Sequence, residues 1–229
     1  MNKKIKSLVL AAVMGLSLTT VAVVPATVEA ASAGAAETLI GGAVAYAYVS
    51  TAFNKMDNSK EGQEQSLARA KKQTGYLEDS AAQARVQRIM KTLEASPSVK
   101  RSYVVYANPS DDFNAFATVG RVMSVNKGAL DLLDDDELAY VMAHEISHGE
   151  HKDIVNGLKK QVGLSTAVSL AAGGGGNAAI LSNIAGNYME NQVFTMGQEK
   201  AADELGFKIL SEIGCIVCND HQTPDNKQI

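Results

Sequence analysis

The spacing of apolar residues along the chain predicts a mostly helical domain with a few strands. Residues 79–93 place apolar side chains at intervals of three and four, which is typical of the buried face of an α-helix. That face carries Ala82, Val86, Ile89, Met90 and Leu93. Short runs of β-branched and aromatic residues then predict strands at residues 102–107, 114–119 and 121–126. We therefore expect an α+β fold in which a small antiparallel sheet accompanies the helices.

A further helix is predicted from residue 137, and its polar positions set it apart. Four acidic residues, 134–137, precede its apolar positions, as is common at a helix N-terminus. Within it, His144, Glu145 and His148 follow the order H-E-x-x-H. Residues four apart lie on the same face of a helix, so both imidazoles can bind one metal ion. Glu145 would stand beside that ion.

The H-E-x-x-H pattern is typical of zinc peptidases. Zinc lowers the pKa of a water that it binds to about 7, and a neighbouring carboxylate can accept the proton. The alternative is an amphipathic helix whose histidines are simply hydrogen-bonded. Unpaired imidazoles and a carboxylate are costly on a half-buried face, and this favours the metal site.

A catalytic zinc ion usually has three protein ligands, so one more residue is needed. His151 lies near the same helical face, but Gly149 precedes it, and glycine is common where helices end. The predicted helix at residues 198–210 offers Glu199 and, one turn later, Asp203. Asp203 could then hold the second nitrogen of a ligating imidazole. We prefer Glu199 to His151 for this reason.

The N-terminal segment has the pattern of a secretory signal. Lysines at positions 3, 4 and 6 precede an apolar run at residues 8–18, and Val28-Glu29-Ala30 resembles a cleavage site. A membrane anchor is the alternative, but polar residues and Pro25 interrupt the apolar run. We expect a signal peptide at residues 1–30 and one domain at 31–229, soluble and exported to the periplasm or the exterior.

Composition and the remaining motifs limit which partners the protein is expected to bind. The net charge of −4 gives no reason to expect nucleic acid as a partner. Apolar runs at residues 162–172 and 178–188 are each too short to span a membrane, so membrane contact would be at most peripheral. In an exported protein, Cys215, Cys218 and His221 favour a disulfide or free thiols over a second metal site. The sequence does not indicate an oligomeric state.

Four separated motifs give the chain a family resemblance. They are residues 114–117 (NAFA), Asn126 followed by Gly128, residues 137–148, and residues 198–206. In these the chain resembles the HtpX-like and Oma-type zinc metallopeptidases, gluzincins related to the CaaX prenyl proteases, and most of all their soluble periplasmic branch. The resemblance implies a zincin-like domain with the sheet beside the H-E-x-x-H helix.

The resemblance also implies roles for individual residues. His144, His148 and Glu199 would bind one zinc ion, Glu145 would be the general base, and Asp203 would support a ligand. Extended substrate would add to an edge strand that comprises Arg121, Val122, Met123, Ser124, Val125 and Asn126. The oxyanion-stabilising residue stays open among Tyr188, Arg121 and His221.

The sequence thus predicts an exported zinc endopeptidase that cleaves unfolded or misfolded envelope proteins. One alternative is a chaperone-like module that binds unfolded chains with weak or no cleavage, and another is a metal-binding protein without peptidase activity. Glu145 favours the enzyme, because a binding protein needs the ligands but not the base.

Overall fold

The computed structural model describes residues 46–47, 50–171 and 194–214, with the backbone alone for residues 164–171. Residues 50–58 are helical. The elements that follow are α1 (Lys60–Thr74), α2 (Ser80–Leu93), β1 (Val104–Asn108), β2 (Ala115–Thr118), β3 (Val122–Asn126), α3 (Lys127–Leu132), α4 (Asp135–Glu150), α5 (Asp153–Ala171) and α6 (Met196–Ile213). The mostly helical α+β class is confirmed.

The predicted helix at residues 79–93 is α2, and its start follows from its first residues. Asp79 is the N-cap, and its carboxylate accepts hydrogen bonds from the N–H groups of Ala81 and Ala82. Val86, Ile89 and Leu93 are fully buried and belong to the core. That core also includes side chains of β1, β3, α4 and α6, so α2 covers the side of the sheet on which α4 lies.

The three strands form a mixed sheet in the order β1-β3-β2. β1 pairs with β3 in parallel, and β2 pairs with β3 antiparallel. The predicted strands are therefore present, but the prediction of an antiparallel sheet is correct only for the β2–β3 pair.

β3 lies at the centre of this sheet and is not an edge. Both of its sides are paired, and all five of its residues are buried. Arg121 precedes the strand in the β2–β3 turn, where its φ is +60° and its Nε donates to the Ser102 carbonyl. The prediction that substrate adds along residues 121–126 is therefore wrong, because no backbone edge of β3 is free to receive another strand.

The two outer strands differ in how their free edges are covered. On β1, Ala107 N–H donates to Oε1 of Gln83, while Ala107 O accepts from Gln83 Nε2 and from Leu77 N–H. Asn114 O accepts from Asn126 N–H, and alternation along the antiparallel pair then directs the backbone groups of Ala115 and Ala117 away from β3. The edge of β2 thus faces away from the sheet, towards α4.

Helices α4 and α6 pack closely because a glycine lies at their contact. A Cβ atom on Gly206 would lie 3.2 Å from His144 N and 3.4 Å from Ala143 C. Ile146 on α4 and Ile209 on α6 are both fully buried in the core. This close approach brings the first half of α6 next to the histidines of α4.

The chain divides into two compact units. Of the described residues, one unit contains 63–154 and 194–214, and the other contains those up to 62 and 155–171. Among these residues no helix combines the length and the apolar character needed to cross a bilayer. The predicted signal peptide, the apolar run at 178–188, Tyr188, Cys215, Cys218 and His221 lie outside the described residues.

Candidate metal centre

The start of α4 is fixed by its own sequence and by two arginines of α2. Asp134 and Glu137 form a capping box, in which each side chain accepts the backbone N–H of the other residue. Asp135 forms ion pairs with Arg85, at 2.6 Å, and with Arg88. Two turns further along, the same helix presents the two histidines.

His144 and His148 bring their Nε2 atoms to 3.2 Å from each other. Their rings meet edge to face with centroids 4.8 Å apart. The side chain of His148 is 1% exposed and that of His144 is 20% exposed, so the pair lies between the core and the surface. The four-residue spacing on α4 thus produces the shared face predicted from the sequence.

Glu199, in the first turn of α6, brings a carboxylate oxygen to the same point, as a candidate third ligand. Its Oε2 lies 3.3 Å from His144 Nε2 and 3.9 Å from His148 Nε2. Ligand atoms placed tetrahedrally around zinc at about 2.0 to 2.1 Å would be about 3.3 Å apart. Among the described residues, these three form a group that could hold one metal ion, and their two imidazoles and one carboxylate suit zinc.

Each histidine also has a carboxylate at its other nitrogen. His144 Nδ1 lies 2.9 Å from Asp203 Oδ1, and His148 Nδ1 lies 3.0 Å from Asp153 Oδ2. Because these contacts occupy both Nδ1 atoms, the Nε2 atoms are left for a metal ion. The sequence reasoning identified Asp203 but missed Asp153. Asp153 lies five residues after His148 and beyond the end of α4, so it lacks the helical spacing that pointed to the other site residues.

Glu145 points from α4 towards the edge of β2. Its Oε2 accepts a hydrogen bond of 2.9 Å from Ala117 N–H. The pKa of this carboxyl group is raised to about 7, mainly because the group is buried and also because Glu199 is nearby. The hydrogen bond from Ala117 and the charge of His144 act in the opposite direction and favour the charged form. A group with this pKa can accept and return a proton near neutral pH.

Burial likewise lowers the pKa of His148, against the opposing effect of Asp153. The neutral imidazole is the form that binds metal, so this shift suits a ligand. Phe194 stacks on the His148 ring with centroids 3.8 Å apart and an interplanar angle of 14°. Neither Phe194 nor Tyr140, whose hydroxyl donates to Asp203 Oδ1 at 3.3 Å, was singled out from the sequence.

The alternative third ligand, His151, is at a different place. It is the exposed C-cap residue of α4, following Glu150, and it is not part of the group formed by His144, His148 and Glu199. The structure therefore brings together the H-E-x-x-H residues, Glu199 and Asp203, and leaves His151 at the end of the helix.

Comparison with known proteins gives a family match over most of the described chain. The model of peptidase family M48 matches residues 77–217. This range includes the sheet, α4, α5 and α6. All four motifs on which the family resemblance rests fall within it.

Several curated proteins are similar to parts of the chain. The beta-barrel assembly-enhancing protease of Escherichia coli (strain K12) is 29% identical over 136 residues, which is 55% of this chain and 28% of that protein. Metalloprotease LoiP of the same strain is 29% identical over 117 residues, 49% of this chain and 46% of LoiP. A protease HtpX homolog of Salinibacter ruber (strain DSM 13855 / M31) is 50% identical over 52 residues, 20% of this chain and 18% of that protein. The matches span less than half the length of these relatives.

Proposed function

The chain belongs to peptidase family M48, with an HtpX- and Oma-type resemblance, and from this membership and the site geometry we propose that it is a zinc-dependent endopeptidase. We propose His144, His148 and Glu199 as the zinc ligands and Glu145 as the general base. The observation that carries the proposal is the convergence of these ligand atoms within 4.8 Å of one another, beside a carboxyl group of raised pKa.

The proposed chemistry divides between the metal ion and the protein. Bound zinc would polarise the scissile carbonyl and make the attacking water more acidic. Glu145 accepts the proton of that water and later donates it to the leaving amine. Ala117 N–H holds the Glu145 carboxyl on the side of β2, and Asp203 and Asp153 fix the two imidazole rings.

We place the substrate backbone along β2, in the position that sequence reasoning gave to β3. Ala115 and Ala117 direct backbone groups away from the sheet, and Ala117 N–H already contacts Glu145. The opposite edge is covered by Gln83 and Leu77 at Ala107. An extended chain paired with β2 would pass next to the base, which favours unfolded or extended proteins as substrates.

The names of two relatives bear on where such an enzyme would act. They are described as a protease that enhances beta-barrel assembly and as the metalloprotease LoiP. Together with the signal-like residues 1–30, these names support export and a substrate among unfolded envelope proteins. Cell fractionation followed by N-terminal sequencing would test export, since the protein should be found in the periplasm and should begin near Ala31. Protein that is found only in the cytoplasm, with Met1 intact, would contradict export.

Metal analysis combined with a cleavage assay tests the activity. The purified protein should contain one zinc ion per chain and should cleave an unfolded protein such as casein. A chelator should abolish cleavage, and added zinc should restore it. If the protein binds unfolded chains but leaves them intact at full zinc content, it is a chaperone-like binder and the enzyme proposal is wrong.

Glu145→Gln is the matched control for this assay. The amide retains an oxygen for Ala117 N–H but cannot accept the proton, so cleavage should fall by about 10²- to 10⁴-fold while zinc is retained. Loss of zinc from this variant would show that Glu145 is a ligand and that its proposed role is wrong.

A further inference from the structure

The support of His148 extends beyond Asp153 to the first turn of α6. Asp153 is 7% exposed, and both of its carboxylate oxygens are engaged. Oδ2 faces His148 Nδ1 at 3.0 Å, and Oδ1 accepts a hydrogen bond of 2.8 Å from Gln198 Nε2. The chain of contacts therefore runs from the imidazole through Asp153 to an amide located one residue before Glu199.

Gln198 performs two tasks with the two ends of its side-chain amide. Its Oε1 accepts the Thr195 N–H at 2.9 Å, which closes the capping box of α6. Its Nε2 donates to Asp153. Glutamate and glutamine serve equally well in a capping box, but only glutamine retains a donor for a second partner. The amide at this position is therefore explained by Asp153 and not by the helix start.

We propose that Gln198 and Asp153 are positioning residues that hold His148 in its metal-binding orientation and tie that orientation to the start of α6. The inference rests on the proposed zinc site. With zinc on Nε2, the ring proton of His148 lies on Nδ1 and is donated to Asp153. Gln198 donates to the other oxygen of the same carboxylate, so Asp153 accepts a hydrogen bond at each of its two oxygens.

Two other contacts reach His148 from the start of α6 and from the residue just before its N-cap. Phe194, just before the N-cap, stacks on the face of the ring, and Glu199 Oε2 approaches Nε2. His144 is instead supported from Asp203, one turn further along the helix. The two histidines are thus held by successive turns of α6, and formation of its first turn orders the second histidine together with the third ligand.

Gln198→Glu separates the positioning role from the capping role. The new carboxylate can still accept the Thr195 N–H, but it cannot donate to Asp153 and places a negative charge beside it. We expect zinc affinity, measured at pH 8 by competition with a chromogenic chelator, to fall by about 10- to 100-fold. The melting temperature of the metal-free protein should fall less than in Thr195→Ala, which removes the cap itself.

The double variant Gln198→Glu with Asp153→Asn provides a rescue. The amide introduced at position 153 would donate from its nitrogen to the carboxylate introduced at position 198. Its oxygen would accept from His148 Nδ1, so both contacts are restored with one direction reversed. Zinc should bind this double variant more tightly than Gln198→Glu alone, by about tenfold. The visible spectrum of the cobalt-substituted protein should move back towards that of the wild type in parallel.

Three results would overturn the inference. The first is unchanged zinc affinity in Gln198→Glu. The second is a double variant that binds zinc no more tightly than Gln198→Glu. The third is an equal loss of affinity in Gln198→Glu and Thr195→Ala that follows an equal loss of thermal stability, since this would assign the effect to the helix start alone. Failure of the wild-type protein to bind zinc would instead contradict the proposed function.

Discussion

Among the residues of the site, Glu145 depends most on its surroundings for its chemistry. The side chain is half-buried, and loss of hydration is the main reason that its pKa rises from 4.5 to about 7. The folded protein therefore binds this proton more tightly than the unfolded chain does. The charged form of Glu145 lowers the stability of the folded protein, and this loss appears only as the pH rises and the carboxyl group gives up its proton.

The free energy of unfolding should reflect this cost. As the pH rises from about 4.5 through about 7, the folded metal-free protein loses the stability that a protonated Glu145 allows. The glutamine of Glu145→Gln cannot be charged, so the stability of this variant does not change with the titration of residue 145. Between pH 5 and pH 8.5, its free energy of unfolding should therefore rise relative to that of the wild type by about 1 to 2 kcal/mol, a value that is reduced to allow for the partial exposure of the side chain. Urea unfolding in the presence of a chelator measures this. A difference independent of pH would show that Glu145 is not destabilised when charged.

The identity of the third ligand can be tested with two alanine variants. Glu199→Ala removes the oxygen that lies 3.3 Å from His144 Nε2, so it should release zinc and abolish hydrolysis. His151→Ala is the control, because His151 is exposed at the end of α4 and should leave the zinc content at one per chain. Zinc content that depends on His151 and not on Glu199 would contradict the ligand assignment.

The predictions of individual site residues from the sequence depended on residue spacing within a helix. His144 and His148 share a face because the helical repeat requires it, and Glu199 with Asp203 follows the same rule. Asp153 has no such relation to His148. It reaches the ring because the chain turns sharply at Lys152, whose φ is +59°, and begins α5 immediately afterwards. A turn formed by a lysine in this conformation has no clear sequence signal.

At the scale of elements, the sequence predicted the strands but not their order. Ser124 and Asn126 alternate with apolar residues in β3, which is typical of a strand with one solvent-facing side. Both are nevertheless buried, and Asn108 of β1 satisfies their side chains by donating hydrogen bonds to them, at 2.9 and 2.6 Å. The edge position of residues 121–126 was implied by the family resemblance, and the alternation along β3 contains no signal that β1 pairs with it.

The outer edge of β2, on the side away from β3, leads to a prediction for substrate binding. Proline at Ala115 would remove an N–H that points away from β3, so the pairing within the sheet should persist. Cleavage of an unfolded protein should then fall by about 2- to 10-fold, which corresponds to one lost hydrogen bond. Zinc content and melting temperature should stay near wild type. Unchanged cleavage by a folded, zinc-loaded Ala115→Pro protein would mean that substrate does not pair with this position.

The contact between α4 and α6 can be tested with two glycines of the same helix. Alanine at Gly206 would place Cβ 3.2 Å from the His144 backbone, whereas alanine at Gly197 would have 4.0 Å to its nearest neighbour, Thr195 Oγ1. Both changes favour the helix by up to about 1 kcal/mol. Only Gly206→Ala should displace α6 from the histidines, and it should lower zinc affinity about tenfold, as measured by chelator competition. Equal affinities in the two variants would show that the close approach is not needed.

At the scale of the whole molecule, the proposed site lies within one compact unit but joins distant parts of the chain. His144 and Glu199 are separated by more than fifty residues and belong to α4 and α6. Both helices contribute to one hydrophobic core with α2 and the sheet. The three ligands can therefore converge only when this core has formed, and metal binding should be coupled to the stability of the fold.

Thermal unfolding measures this coupling. A ligand that binds only the folded state at 100 times its dissociation constant adds about 2.7 kcal/mol to the free energy of unfolding, which raises the melting temperature of a chain of this size by roughly 5 to 10 °C. We expect zinc to produce such a rise in the wild type and in His151→Ala. Glu199→Ala should show little or none at the same zinc concentration, and magnesium should have no effect on any of the three because it prefers oxygen ligands. A full rise in Glu199→Ala would mean that α6 does not take part in binding the metal, and that zinc stabilises the protein through α4 alone.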